Sequence, residues 1–442
     1  MRVAVLTVAV VLFFSSCSEK KKDYQQITSD PFLYSRTVKE LNNVVMQNNF
    51  PPIIASRNYV YANIAAYEVI AAGDPQHYQS LAGQLNGLDS AAIVPTGKKI
   101  DFHFAALLAF CQLGEAVTFT EGSMKEYVDS LKGLVKDHGM PDDVFRNSID
   151  FAAEAGRIIL AWSKKDHYAQ TRTAPKYAIL DMPGRWVPTP PSYFQALEPH
   201  WRQIRTMVMD SANQFTPPPP PVFDINNKQG KYYQEVLAVK NAGDSLTNEQ
   251  KHIAEFWDDL GNKMNVNGHI MFVTKKFSPP GHWMNIVGIA AQKAKVDYAT
   301  TVYAYTKTAI AMFDAFIQCW DEKFRSNYAR PETVINKYID PNWMPYLQTP
   351  PFPEYTCGHS TVSSASAEAL TSVFGDNFVF TDTSELEFGI KNRSFKSFRD
   401  AAIENNWARF YGGIHFHNSC IISTEYGAKV GTLVNERLKM KK

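Results

Sequence analysis

Apolar residues recur at intervals of three and four along most of the chain, which is the spacing of one face of an α-helix. The clearest series is Ile310, Phe313, Ile317, Trp320 and Phe324, with steps of 3, 4, 3 and 4. Strand-like alternation of apolar and polar residues is scarce, and the best short candidate for a strand is 378–380. The pattern therefore predicts an all-α protein with little strand.

Helix start signals support this prediction at several places. Ser123 with Glu126 fits a capping box, in which each side chain bonds to the other residue's backbone amide, and Thr247 with Gln250 fits a second one. Pro141 is expected to open a further long helix.

The helical pattern lapses between about residues 166 and 228, where proline, glycine and aromatic residues are frequent. Residues 217–221 form a five-proline run, which is typical of a stiff surface segment. We expect a large helical-bundle body with two bundles: an N-terminal region at 31–300 that contains this irregular crossing, and a C-terminal region at 301–442 that carries the chemistry.

Composition narrows the function classes. With 442 residues, 45% of them apolar, the chain is long enough to bury a large core. The 45 basic and 44 acidic residues leave a net charge of +1, which gives no electrostatic argument for a nucleic-acid partner. Five cysteines in a chain of this length do not form a disulfide scaffold.

The N-terminus is typical of an export signal. Arg2 precedes an apolar run at 3–14, which is too short to span a bilayer, and small residues then lead to Cys17. This order resembles a bacterial lipoprotein signal, 1–16, with lipidation of Cys17 and a polar tether at 17–30. We expect a protein exported and lipid-anchored to the bacterial cell envelope, on its periplasmic or surface face. The alternative is an ordinary secretory signal in which Cys17 has no role.

The first of three segments with candidate chemistry is 323–331. Lys323 ends the helix of the apolar series, and Arg330 follows seven residues later, directly before a proline. Two cations placed in this way can converge on one anion. By itself the pattern is equally explained by basic residues that stabilise a helix C-terminus.

The second segment is a proline-stiffened loop at 350–356, which delivers Cys357, Gly358 and His359 to the start of a helix. Unpaired backbone amides and the positive end of the helix dipole make such a start a natural oxyanion site. Taken alone, it also fits a capped helix with an ordinary histidine in its first turn.

The third segment turns the chain through two glycines. Arg409 ends one helix, and His415 is expected to open the final one, so both side chains can face one point from either side of the turn. His417 follows two residues later and is expected to point elsewhere.

Together the three segments resemble the signature shared by vanadium-dependent haloperoxidases and type 2 phosphatidic acid phosphatases. That signature is lysine, six residues and arginine–proline; then serine–glycine–histidine; then arginine, five residues and histidine. Lys323 with Arg330, Cys357 with the glycine and histidine after it, and Arg409 with His415 match it in order and spacing.

The resemblance implies a role for each of these residues. The oxyanion, vanadate or phosphate, would be held by a group of donors: Lys323, Arg330, Arg409, Cys357 and the Gly358 amide. His415 would bond vanadium through a ring nitrogen, as the metal ligand, or attack phosphorus to give a phosphohistidine. His359 would be the catalytic acid–base.

Four positions bear on the choice between the two branches of the resemblance. Cys357 replaces the serine of the signature, and a thiol is a weaker hydrogen-bond donor than a hydroxyl. Ser419 stands where phosphatases commonly carry an aspartate that orients the final histidine, so another group must do this work. Trp320 and Phe352 occupy the positions that form the halide side of the site in chloroperoxidase-type members.

Three functions are therefore compatible with the sequence. The first is a vanadium-dependent haloperoxidase that binds vanadate and oxidises a halide with hydrogen peroxide. The second is a phosphatase that hydrolyses phosphomonoesters in the same pocket and needs no vanadate. The third is a non-catalytic surface lipoprotein with a degenerate oxyanion site, which the residues at 357 and 419 favour.

Overall fold

The computed structural model of the protein describes residues 23–89, 94–95, 97–260, 263–267 and 269–442. The predicted signal at 1–16 and its Cys17 lie outside the described residues. None of the helices in the described part of the chain is both long enough and apolar enough to cross a membrane.

Helix covers 58% of the described residues and strand only 4%, which confirms the predicted all-α class with little strand. The first eight α-helices are α1 (Tyr24–Thr28), α2 (Pro31–Gln47), α3 (Pro52–Gly73), α4 (Phe102–Thr118), α5 (Lys125–Asp137), α6 (Asp142–Ser163), α7 (Tyr168–Arg172) and α8 (Lys231–Asp244). The others are α9 (Asn248–Phe256), α10 (Pro279–Ala294), α11 (Tyr298–Ser326), α12 (Pro331–Tyr338), α13 (Gly358–Phe374), α14 (Phe398–Tyr411) and α15 (His417–Arg437). Short 3₁₀ helices cover Trp201–Gln203 and Ser384–Phe388.

Strand is limited to two antiparallel pairs in the described residues. The pairs are β1 (Lys263–Asn267) with β2 (Ile270–Thr274), and β3 (Phe380–Asp382) with β4 (Arg393–Phe395). The strand predicted at Phe378 to Phe380 begins only at Phe380, where pairing with Phe395 starts. Phe378 lies outside the strand and stacks on Phe398 of α14, with ring centroids 5.2 Å apart.

Two of the three predicted helix starts are confirmed. The Thr247 hydroxyl accepts a hydrogen bond from the amide of Gln250, and the Gln250 side chain returns one to the Thr247 amide, which completes the capping box of α9. Pro141 is the N-cap of α6, and residues 142 and 143 add acidic charge to its first turn.

The capping box predicted at Ser123 and Glu126 is wrong. The N-cap of α5 is Met124, and it makes no side-chain capping bond. A carboxylate from the preceding helix takes over this work, since Glu115 accepts hydrogen bonds from the amides of Gly122 and Met124. This contact closes the turn between α4 and α5 and leaves Ser123 outside the helix.

The long helix α11 is the axis of the molecule. The Asp297 carboxylate caps its start by accepting from the Thr300 amide, and Asn327 ends it in the left-handed conformation at φ 48°. It packs against α3 in the N-terminal part and against α13 and α15 in the C-terminal part, and one apolar core extends over both. Helix α11 continues unbroken through residues 300 and 301, the predicted boundary between the two regions.

Residues 23–30, the described part of the predicted tether, lie against the body of the protein. Asp23 caps α1, whose first amide, that of Tyr24, donates to the carbonyl of His138. Thr28 is fully buried, and its hydroxyl donates to Asp101 at 2.9 Å.

The crossing at 166–228 is irregular, as the sequence predicts: its only helical pieces among the described residues are α7 and the turn at 201–203. It nevertheless bonds to the elements that carry the site. The Leu197 carbonyl accepts from the indole of Trp320, and the Pro221 carbonyl accepts from the hydroxyl of Tyr328.

Candidate active site

The site forms where the start of α13 meets α15. Small residues allow this approach: a Cβ at Gly427 would lie 2.1 Å from the Thr361 carbonyl oxygen, and one at Gly431 would lie 2.7 Å from that of Ala365. The close crossing brings His415, just before α15, to the N-terminus of α13. His415 was predicted to open that helix, but α15 begins two residues later, at His417.

Lys323 approaches the site from the last turn of α11. Its side chain is fully buried, and Nζ donates to the carbonyls of Pro353 at 2.8 Å and Glu354 at 3.1 Å. These bonds leave one of the three ammonium protons free. Burial, together with the charge of Arg330, lowers the pKa of Lys323 to about 8.

Two buried arginines complete the cationic wall. Arg330 donates through Nε to the Phe352 carbonyl and through Nη1 to that of Ile414, at 2.9 and 2.8 Å. Burial, reinforced by the charge of Arg409, lowers the pKa of Arg330 to about 10. Arg409 lies at the end of α14 and donates through Nη1 to the carbonyl of Trp257 at 2.8 Å.

The two arginines keep donors without a partner among the described residues. Arg330 Nη2 and Arg409 Nε are both buried and make no hydrogen bond there. Buried donors are normally satisfied, so an unpaired group of them indicates a missing acceptor. A Cβ at Gly358 would lie 4.0 Å from Lys323 Cε, so the missing side chain keeps this space open. Charge, donor number and space all fit a tetrahedral oxyanion such as vanadate.

His415 is held by a carboxylate that sequence reasoning missed. Its Nδ1 lies 2.7 Å from Glu354 Oε1, and its Nε2 lies 3.0 Å from Arg330 Nη1. A guanidinium can only donate, so Nε2 accepts and the proton of the neutral ring is on Nδ1. The Nε2 lone pair is therefore the one available to a metal or a phosphorus atom.

Glu354 orients His415 in place of the aspartate that is missing at position 419. Besides His415, its carboxylate accepts from the Phe416 amide at 3.1 Å and from the Ser419 hydroxyl at 3.2 Å. Ser419 thus supports the orienting carboxylate where the phosphatase signature has the carboxylate itself. Glu354 stands three residues before Cys357, but the sequence gives no local signal that its side chain turns inward toward His415.

Cys357 is the N-cap of α13, and its thiol is completely buried, with Cys420 and His415 as hydrogen-bonding neighbours. Burial raises the pKa of this thiol, but the contacts with Cys420 and His415 outweigh burial and place it well below its usual range. The thiol therefore lies directly beside His415. All four described cysteines, at 111, 319, 357 and 420, are free.

His359 lies in the first turn of α13 and is 13% exposed at its side chain. Burial lowers the pKa of His359 well below its usual value, and the charge of Arg409 lowers it further. Its Nε2 lies 3.9 Å from Asp259 Oδ2. The ring is therefore neutral in the protein without a bound anion, and it can take up a proton when negative charge enters the pocket.

Trp320 and Phe352 form an aromatic wall beside the cations. Their ring centroids are 5.0 Å apart, and Lys323 Nζ lies 4.9 Å from the centroid of Phe352 and 5.7 Å from that of Trp320. The structure thus places both predicted halide-pocket residues at the oxyanion site. His417 is directed away from it, as expected, and stacks on Trp407 with centroids 4.0 Å apart.

Comparison with known proteins agrees with this geometry. Residues 303–441 match the family described as the VCPO second helical-bundle domain. The crystal structure of the first bacterial vanadium-dependent iodoperoxidase is 43% identical, covers 93% of this chain and 97% of its own, and superposes with a TM-score of 0.87.

Two more distant structures share the fold. The holo and apo forms of a bacterial vanadium-dependent chloroperoxidase are 18% and 16% identical and give TM-scores of 0.63 and 0.64. Both alignments cover 88% of this chain, and they cover 93% of the holo structure and 94% of the apo structure. None of the curated proteins matches the chain.

Proposed function

Because the chain belongs to the vanadium-dependent haloperoxidase family, we propose that its oxyanion site binds vanadate and that its halide substrate is iodide. Haloperoxidase-type function, the first of the three alternatives, is confirmed by the relationship to the iodoperoxidase. The protein is therefore an enzyme acting on small molecules, hydrogen peroxide and a halide. Iodide is proposed because the relative that covers almost the whole chain is an iodoperoxidase.

The orientation of His415 carries the vanadate proposal. Glu354 holds its Nδ1 proton, so the Nε2 lone pair is directed to the side where Arg330 donates. A neutral histidine fixed by a buried carboxylate is the usual form of a protein metal ligand. Lys323, Arg330, Arg409 and the Gly358 amide would neutralise the oxygens of the anion. Vanadate held in this way would activate hydrogen peroxide as an electrophile toward halide.

The remaining roles belong to residues that move protons and receive the halide. His359 is neutral before the anion binds, and the negative charge of an occupied pocket favours its protonation. It would then be able to donate a proton to hydrogen peroxide or accept one from it. Trp320 and Phe352 offer an apolar wall in which a large, weakly hydrated anion such as iodide would lie near the Lys323 charge.

Two assays on the purified protein, each with and without orthovanadate, test the proposal. Peroxide-dependent iodide oxidation should require orthovanadate, and phosphomonoester hydrolysis should stay at background. Iodide oxidation that does not depend on orthovanadate would contradict the proposal. Phosphatase activity that orthovanadate inhibits would favour the phosphatase alternative instead, because the two anions would compete for one pocket.

We also propose that the enzyme is exported and anchored through a lipid on Cys17. Support comes from the small residues before this cysteine behind a short apolar run. Cys17→Ala should release the protein from membranes or stop its processing. If this variant fractionates and migrates like wild type, the anchor is excluded.

A further inference from the structure

A buried series of ionisable groups leads from His359 into the protein. His282 on α10 is completely buried between two carboxylates, with Nδ1 2.9 Å from Asp259 Oδ1 and Nε2 2.9 Å from Asp382 Oδ2. Ionised carboxylates only accept, so both ring nitrogens of His282 donate and the ring is an imidazolium. Burial lowers the pKa of His282, but Asp259 and Asp382 outweigh burial and raise it well above its usual value.

The second oxygen of Asp259 is directed to the active site. Asp259 Oδ2 has no hydrogen-bond partner among the described residues, and it faces His359 Nε2, which has none either, at 3.9 Å. One group is an acceptor and the other can be a donor, and both are buried. Catalytic hydrogen bonds are often long before a ligand binds and tighten in the complex.

The other charged groups around His359 cannot replace Asp259. The titratable and charged groups that act on it are Asp259 after α9, His282 on α10, Cys357 at the start of α13, Arg409 on α14 and His415 before α15. Arg409 and the two histidines disfavour an imidazolium, and the Cys357 thiol is engaged with Cys420 and His415. Asp259 is the carboxylate that lies within 4.0 Å of the His359 ring among the described residues.

Asp259 and His282 belong to a cluster of ionisable groups that is already ion-paired. Asp259, His282 and Glu385 place ligand atoms within 4.8 Å of one another, which is close enough for a metal ion. However, both nitrogens of His282 already donate to carboxylates, and Glu385 Oε2 pairs with Lys276 Nζ at 2.8 Å. An imidazolium and an ammonium therefore already pair with the carboxylates of this cluster.

We propose that Asp259, held in place by the His282 imidazolium, is a positioning residue for His359. Its Oδ2 accepts the Nε2 proton of His359 when the site is occupied, which fixes the ring orientation and tautomer. Nδ1 is then the ring nitrogen that exchanges protons with the bound substrate. The inference rests on the proposed acid–base role of His359 and adds a second buried histidine that acts only through Asp259.

The test is histidine ¹⁵N NMR on the full-length protein, with orthovanadate as the probe and His359→Gln to assign the signal. In wild type with orthovanadate, His359 Nε2 should stay protonated across the pH range, and Nδ1 should gain the second proton as the pH falls. Asp259→Asn should remove this preference and lower iodide turnover on the order of 10- to 100-fold, less than the loss of His359 itself. Orthovanadate affinity should change by no more than about 2-fold, since the Asp259 carboxylate hydrogen-bonds to His282 and to none of the oxyanion donors among the described residues.

Asp314→Asn is the matched control. Asp314 is also a buried carboxylate, but it bonds the backbone amides of residues 207–209, away from the site. This variant should lose stability and keep the wild-type tautomer of His359. If Asp259→Asn keeps both tautomer and turnover, the inference is wrong.

The wild-type spectrum decides the question even if Asp259→Asn does not fold. A His359 signal protonated on Nδ1 alone in the orthovanadate complex would overturn the inference. By contrast, His359→Ala with unchanged turnover would refute the acid–base role of His359, even if the wild-type ring is held by Asp259. The two failures are therefore distinguishable.

Discussion

At the scale of single residues, Glu354 determines what His415 can do. It is completely buried, and its two oxygens accept three hydrogen bonds, from His415, Phe416 and Ser419. Because Glu354 accepts at Nδ1 and Arg330 donates at Nε2, the imidazole proton is kept on Nδ1. A metal bound at Nε2 therefore depends on a residue outside the signature.

Glu354→Gln should weaken orthovanadate binding by about 10- to 100-fold, the usual effect of losing such a support. Phosphate, which depends on the cations and not on a bond to His415, should lose less affinity. Calorimetric titration of both anions measures the difference. The control is Glu68→Gln, because Glu68 is also buried and accepts from the Ser80 hydroxyl and the Leu81 amide, far from the site. Equal losses for both anions would show that Glu354 does not act through His415.

Cys357→Ser should tighten orthovanadate binding by about 5-fold, the value of one ordinary hydrogen bond of ~1 kcal/mol. A hydroxyl donates better than a thiol, and it cannot ionise beside His415. Cys319→Ser is the control, since Cys319 is a buried thiol that bonds the Thr356 carbonyl outside the signature. Unchanged or weaker binding in Cys357→Ser would mean that the thiol is adapted to this pocket.

Anion binding should depend on pH through the charge of Lys323. Its pKa of about 8 means that it carries its charge below this pH and loses it above. Sulfate, whose charge is constant over this range, should bind more weakly as pH rises through about 8, by up to tenfold per pH unit. Lys323→Arg should remove this limb, because a guanidinium stays charged. If sulfate affinity still falls above about pH 8 in Lys323→Arg, another group causes the pH dependence.

At the scale of helices, the crossing of α13 and α15 sets the site. The signature predicts which residues meet, but the approach depends on Gly427 and Gly431, which face backbone carbonyls of α13. Helical periodicity identified α11, since its apolar residues are local and regular, and the two glycines at 412 and 413 indicated where α14 ends. Periodicity gave no register between helices, so the contacts that cross from one helix to another stayed unpredicted.

Gly427→Ala should destabilise the protein by about 1–3 kcal/mol, because its Cβ would overlap the carbonyl oxygen of Thr361. It should also weaken orthovanadate binding, since α15 must move away from α13 and take His415 with it. Gly133→Ala on α5, where a Cβ meets nothing within 4 Å, is the control and should be neutral or stabilise by up to about 1 kcal/mol. Chemical denaturation provides the comparison, and equal stability of the two variants would refute the close crossing.

At the scale of the whole molecule, the sequence predicts the fold class and the signature residues but not their supports. Glu354, Asp259 and His282 are ordinary residues in the sequence, and they become a functional set only where α9, α10 and the loop before α13 meet. The irregular crossing at 166–228 had no predicted role, yet it supplies the carbonyl that holds the indole of Trp320. Long-range hydrogen bonds of this kind have no periodicity from which to predict them.

His415 is proposed to bond the vanadium of a vanadate held by Lys323, Arg330 and Arg409, while His359 moves protons. Orthovanadate binding to His415→Ala and His359→Ala, followed by ⁵¹V NMR and by iodide turnover, tests it most directly. We predict that His415→Ala loses the bound vanadium signal and turnover, and that His359→Ala keeps the signal while turnover falls about 10²- to 10⁴-fold. The assignment would be wrong if His415→Ala kept both the bound vanadium signal and turnover. It would also be wrong if the signal were lost only in His359→Ala.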